Sequence, residues 1–320
     1  MGRYIIRRLL QAIPLLFMVS VVVFLLIHLI PGGADAVFLN PKLTGAARAA
    51  IRHNLGIDQP LPVQYFTWIK GAITGDFGHS FNDGQTVISD VGARVGPTIE
   101  LFGSALLFAL ILAIPLGVTS AARQYSIVDY TITFFSYFGI SMPIFFFALI
   151  MQEIFSVKLG WLPDFGRSSD EVYASTFDYF LDYTLHLILP MIVLSLAFMA
   201  GWSRYMRASM LEVKRQDYMR TARSKGLGPV AVLARHGLRN ALIPVLTVVA
   251  LNFGAIAGGA AVTETIFAWP GLGSFFILSL TSRDYPVLMA MLLMSAVTVI
   301  TFNLIADVLY GVLDPRIRYN

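Results

Sequence analysis

Residues Arg204–Pro244 read RYMRASMLEVKRQDYMRTARSKGLGPVAVLARHGLRNALIP, a basic stretch set between two long apolar runs. It carries nine Lys and Arg residues against two acids, Glu212 and Asp217. Cytoplasmic loops of membrane proteins are basic as a rule, which accounts for the charge but not for the order of the residues. From Arg204 to Arg220 there are good helix formers and no Gly or Pro. Gly226, Gly228 and Pro229 then break the run. Asp217 is placed to cap a short helix over Tyr218–Lys225, and Gly226 to end it in the left-handed conformation. The spacing predicts a short exposed helix held at the cytoplasmic face by two spans, a shape suited to a groove in another protein.

The rest of the composition places that loop in a membrane protein. Of 320 residues, 57 % are hydrophobic and 13 % charged, where a soluble domain carries about a quarter charged. Six apolar runs predict six transmembrane helices: Leu9–Ile30, Ile99–Ala122, Tyr130–Val157, Leu185–Trp202, Ala241–Val262 and Val287–Val312. Pro143 is expected to kink the third. The first run exceeds the apolar core of a signal peptide, so it reads as an uncleaved span despite Ala34-Asp35-Ala36. Pro31–Gly96 is too polar to cross and reads as a small extracytoplasmic insert between helices 1 and 2. It holds short helices over Thr44–Gly56 and Pro60–Gly75, with Tyr65, Phe66 and Trp68 grouped as a packing or interface patch. The chain divides into 1–96, the first span with its insert, and 97–320, a five-helix core. Both termini then face the cytoplasm, and the inside carries 15 Lys and Arg against eight outside.

Chemistry of its own is missing. There is no cysteine, and the five histidines are scattered without ligand spacing, so no metal site is expected. No G-x-x-x-x-G-K-[ST], H-E-x-x-H or G-x-S-x-G motif occurs, which leaves no catalytic residue to assign and no cofactor in this chain. The net charge of +4 sits beside spans and is assigned to the cytoplasmic loops of a protein in the lipid bilayer rather than to nucleic acid. Glu100 and Glu153 are expected at the outer boundary, whereas Glu264 is open between that place and a functional one. Asp307 is expected to bond to Asn303 or Tyr310. Gly254 and Gly258 form a G-x-x-x-G face for close approach to a partner subunit. Phe267 and Trp269 are expected near the outer interface. Met199, Trp202 and Asn252 are candidates for a translocation path, with packing as the competing role.

DYMRTARSKGLG followed by HGLRNALIPVLT resembles the cytoplasmic signature of permease subunits of binding-protein-dependent ABC importers. RYIIRRLLQAIPLLF, LGIDQPLPVQY, GDFGHSF, LGWLP, ETIFAWPGLG, RDYPV and LDPRIRY narrow the resemblance to the B-type member of the dipeptide, oligopeptide and nickel permeases. In the family's loop pattern E-A-A-x-x-x-G, Gly226 takes the glycine place, Ala222 and Thr221 the alanines, and Arg220 the glutamate. The family's closing I-x-L-P is absent at its usual offset, where His236–Arg239 stand.

The resemblance implies a type I ABC importer permease fold in a bacterial inner membrane. The partners it implies are a C-type permease, two ATP-binding subunits that hold ATP and Mg, and an extracytoplasmic substrate-binding protein. Asp217, Tyr218, Arg220, Thr221, Ala222, Arg223, Lys225, Gly226 and Leu227 would form the coupling element, and di- or oligopeptides the cargo. A secondary transporter driven by an ion gradient is the alternative, but it wants broken half-helices and paired midplane acids, where only Asp307 is a candidate.

Overall fold

The computed structural model describes residues 2–29, 58–169, 172–254, 256 and 260–313. The described elements are α1 (Gly2–Leu29), α2 (Leu61–Thr74), α3 (Val87–Ala122), α4 (Ile127–Ser141), α5 (Ile144–Met151), α6 (Thr176–Lys214), α7 (Asp217–Ser224), α8 (Pro229–Val232), α9 (Leu238–Phe253), α10 (Ala261–Ile266), α11 (Leu272–Ser282) and α12 (Tyr285–Leu313). Wider, π-type turns extend α5 over Gln152–Lys158 and join α8 to α9 over Leu233–Gly237. Among these residues five helices are long and apolar enough to cross a membrane, and six if α4 and α5 make one bent span. The chain is thus an all-α, multi-spanning bundle.

Two of the expected spans differ from their sequence reading. Pro143 does more than kink the third. The backbone leaves the helix at Met142 and re-enters at Ile144, and the axis turns by 103°. A proline disfavours helical geometry in the residue before it and donates no N–H, so the break falls where one ladder bond is lost and Met142 takes extended geometry. The fifth span ends at Phe253 rather than at Val262. By contrast α6 runs unbroken for 39 residues through Pro190, about 58 Å at 1.5 Å per residue. α3 likewise passes through residue 96 without interruption.

The core is built around α3 and α6, which approach closely because Gly117 has no side chain; a Cβ there would lie 2.6 Å from the Ser203 carbonyl oxygen. Leu101, Leu106, Ala109, Trp202, Met206 and Met210 fill the space between them. α4 joins this pair at its first turn. Asp129, 2 % exposed, accepts from Arg207 Nε at 2.7 Å and Nη2 at 2.8 Å, from the Tyr125 amide at 2.9 Å, and from the Ser120 hydroxyl. One carboxylate therefore ties α3, α4 and α6. Higher up, Ser136 and Ser203 hydroxyls bond at 3.1 Å, and a Cβ on Gly139 would lie 3.3 Å from that of Ala200.

α1 lies on α12 through Val23, Phe24, Ile27, Leu288 and Met289, and is exposed along most of its remaining surface. Asp307 pairs with Arg8 at 3.0 Å, a contact between the two ends of the sequence that its local reading did not include; the Tyr310 side chain lies outside the described residues. α2 ends at Gly75 (φ +83), in keeping with the helix expected over Pro60–Gly75. Tyr65 is its buried anchor and bonds to Ser20 at 2.8 Å, whereas Phe66 is exposed. The hairpin that follows is held by Asp284, which accepts from Ser80 Oγ at 2.5 Å and from the Phe81 amide at 3.1 Å. The expected helix over Thr44–Gly56 lies outside the described residues.

Glu100 pairs with Arg167 at 2.8 Å and is part-exposed, and Glu153 is exposed beside Lys158 at 3.4 Å. Replacing Asp129 by Ala strands a guanidinium among apolar helices. It is expected to cost about 3 kcal/mol, read as a lowered Tm of the purified protein. The paired change Asp129→Leu with Arg207→Met is expected to recover part of that loss; a double variant no more stable than Asp129→Ala would contradict the clasp.

Candidate functional site

The segment Asp217–Ser224 is a two-turn helix with its apolar residues at i and i+3. Met219 is fully buried and Ala222 is 6 % exposed, while Asp217, Tyr218, Arg220, Thr221, Arg223 and Ser224 are exposed. One face is thus a base and the other a display. The base belongs to the same apolar core as Met206, Met210 and Val213 of α6 and Val232, Ala241 and Val245 of α8 and α9. Gly237 makes room: a Cβ there would stand 3.2 Å from Met210 Sδ and 3.3 Å from Met219 Cε. Polar bonds fasten the rim. Asn240 Nδ2 donates to the Tyr218 hydroxyl at 3.1 Å, Ser209 Oγ to the Ala241 carbonyl at 3.0 Å, and Lys214 Nζ to the Ala121 carbonyl at 2.7 Å. The lysine bond gives a helix-end carbonyl of α3 the partner it lacks within its own helix.

The expected cap is corrected by one residue. Gln216 holds the cap position and makes no side-chain cap bond; Asp217 is already helical, 98 % exposed, and 4.0 Å from Arg220. A carboxylate in the first turn still favours the helix through its dipole. The far end matches its reading. Gly226 has φ +82, its amide donates to the Arg223 carbonyl at 2.9 Å, and the Lys225 amide to the Thr221 carbonyl at 3.1 Å. Lys225, Gly226 and Leu227 are exposed. The display is basic: Arg215, Arg220, Arg223 and Lys225 outnumber Asp217. Beside it Arg235, His236, Arg239 and Asn240 line a cleft of about 390 Å³.

The other singled-out residues do not gather here. Trp202 is buried against Phe198 and Met206, a packing role; Met199 is part-buried on the same core. Asn252 donates to the Val248 carbonyl of its own helix at 2.8 Å. Gly254 faces Val299 and Phe302 of α12 within this chain, at 3.4 and 3.6 Å from its Cβ position. Gly258 lies outside the described residues.

Residues 113–319 match the family model described as "Binding-protein-dependent transport system inner membrane component". Residues 1–102 match its N-terminal counterpart, "Binding-prot-dependent transport system membrane comp, N-term". The chain belongs to this family. It is a bacterial, multi-pass inner-membrane transport component, not an enzyme. It is 45 % identical, over 100 % of both chains, to the "Oligopeptide transport system permease protein AppB" of Bacillus subtilis (strain 168). Identity is 42 % over 99 % of both chains to the "Dipeptide transport system permease protein DppB" of Alkalihalophilus pseudofirmus. Identity to the "Glutathione transport system permease protein GsiC" of Escherichia coli (strain K12) is 39 %, over 100 % of both chains.

In this family member a second polar site stands at the opposite end of the bundle. Glu264 is fully buried; its carboxylate accepts from Thr98 Oγ1 at 3.0 Å, from the Ser274 amide at 2.9 Å and from the Ala260 amide at 3.3 Å. Thr98 in turn accepts from the Leu272 amide at 2.7 Å. Gly271 packs directly on the carboxylate, where a Cβ would collide. Trp269 and Phe267 are buried here, contrary to the interface position expected; Trp269 Nε1 donates to the Pro97 carbonyl at 2.8 Å. The glycines of W-P-G-L-G were the signal for a carboxylate packed against bare backbone.

Met219→Ser removes the main apolar foot of α7. It is expected to weaken the seat by about 2–5 kcal/mol. Hydrogen exchange of the amides of 217–226 rises markedly while α6 stays protected. Unchanged exchange there would show that the foot does not hold the helix.

Proposed function

We propose that this chain forms half of the translocation pathway of an ATP-driven importer of di- or oligopeptides, and that α7 is its contact with an ATP-binding subunit. The observation that carries the reading is the two-faced helix: Met219 and Ala222 lock it to the bundle, and Tyr218, Arg220, Thr221 and Arg223 project from the other side. A helix so anchored passes a push on its outer face to α6 and α9, which share its apolar seat. Ala222 serves in the seat rather than in the contact. Hydrolysis belongs to the ATP-binding pair, which holds ATP and Mg. A C-type permease supplies the other half of the pathway, and an extracytoplasmic binding protein delivers the cargo.

Orientation follows from charge. The end bearing α7 carries the basic loop and faces the cytoplasm together with both termini, and the insert between α1 and α3 faces outward. Peptide cargo is supported by the relatives, whose names specify oligopeptide, dipeptide and glutathione transport. ATP drives the change of access by favouring one of two rigid-body arrangements.

The test is uptake by the full complex in proteoliposomes with a peptide-loaded binding protein. Arg220→Glu with Arg223→Glu reverses the display's charge and leaves its seat intact. ATP-driven uptake and stimulated ATPase activity are expected to fall at least about tenfold, a loss of about 1.4 kcal/mol in productive contact. Normal coupling in that variant would refute the docking role. Uptake that persists without ATP and collapses with the proton gradient would instead favour the gradient-driven transporter.

A further inference from the structure

α4 and α6 are zipped on one side by Asp129–Arg207, Ser136–Ser203 and Gly139–Ala200, and on the adjoining side they part. The opening is a groove of about 530 Å³ walled by Thr133, Tyr137 and Ile140 of α4 and by Gly201, Arg204 and Tyr205 of α6. Each set follows helical spacing, so each is one continuous stripe. Gly201 widens the groove, because nothing lies within 4 Å of where its Cβ would be.

The chemistry of the walls is uneven. Arg204 lies over the Tyr137 ring, 4.4 Å from its centroid, and among the described residues no carboxylate pairs with it. Its neighbour Arg207 has its charge met by Asp129. A guanidinium stacked on a ring keeps its in-plane N–H donors for an anion. Arg204 comes two residues after the apolar run ends at Trp202, and exposed Tyr130, Phe134, Phe138 and Ile140 continue along α4. A cation at the edge of an aromatic, apolar surface matches a molecule with an anionic head and hydrocarbon tails.

We propose that this groove binds an anionic phospholipid, its phosphodiester on Arg204 beside the tyrosine hydroxyls and its acyl chains running away from the basic end along Phe138 and Ile140. The site is distinct from the α7 display and does not require the ATPase contact to be right.

The full permease–ATPase complex, moved into phosphatidylcholine nanodiscs titrated with phosphatidylglycerol, provides the test. Phosphatidylglycerol retained through purification is counted by native mass spectrometry. Arg204→Gln is expected to lower retention about fivefold, Arg204→Lys to keep most of it, and Tyr137→Leu to lower it less than Arg204→Gln. Equal retention in wild type and Arg204→Gln would overturn the proposal, as would displacement of the lipid by inorganic phosphate alone, which would make the occupant a soluble anion. The absence of cysteine allows a second readout. Ala208→Cys at the groove edge is expected to react with a membrane-dissolved maleimide in the assembled complex, and phosphatidylglycerol to slow that reaction. Full protection in phosphatidylcholine alone would mean that a partner subunit covers the groove, and the proposal would fall.

Discussion

A single buried carboxylate sets the geometry at the basic end of this protein. Asp129 cannot be ionised among apolar helices unless its lone pairs are filled. The groups that fill them come from α3, from the turn before α4, and from α6. That demand fixes where α6 emerges from the bundle, and the last turns of α6 carry Met206, Met210 and Val213, which share one apolar core with the buried face of α7. The outward display of Arg220 and Arg223 is therefore a downstream result of satisfying one charge.

The two ends of the bundle meet the same electrostatic demand differently. At the basic end an arginine neutralises the acid, and the seat around it is rich in methionine. Met206, Met210 and Met219 are unbranched and polarisable, so they can repack as a helix shifts over them. At the other end Glu264 has no arginine partner among the described residues and is held by a hydroxyl and two amides, with Gly271 and Gly273 packed against it. That packing leaves little room for adjustment. The basic end is built to yield and the far end to keep its shape.

Legibility in the sequence followed the range of each interaction. α2, α7 and the turn at Gly226 were readable because glycines and helix periodicity act within a few residues. The cap at Asp217 was misplaced by one position because Gln216, a weak capping residue, takes the extended conformation before it. Pro143 signalled a disturbance but not its size, since a kink and a 103° break begin with the same missing donor. Phe267 and Trp269 read as interface aromatics because hydropathy cannot tell the end of a span from a chain that folds back into the protein. The pairs Arg8–Asp307 and Ser80–Asp284 span most of the chain and leave no local trace.

α6 and the broken α4–α5 segment differ in a way that bears on motion. A helix of 39 residues that stays helical through Pro190, losing only the bond the proline cannot donate, moves more nearly as one rod, so a tilt imposed where Lys214 grips α3 is carried to its far end near Thr176. The α4–α5 segment has a joint at Met142 and Pro143, where the same tilt is absorbed as a change of angle. One polypeptide thus contains a stiff lever and a hinged arm side by side, and a rotation too small to notice at either end of the lever would open or shut the angle between them.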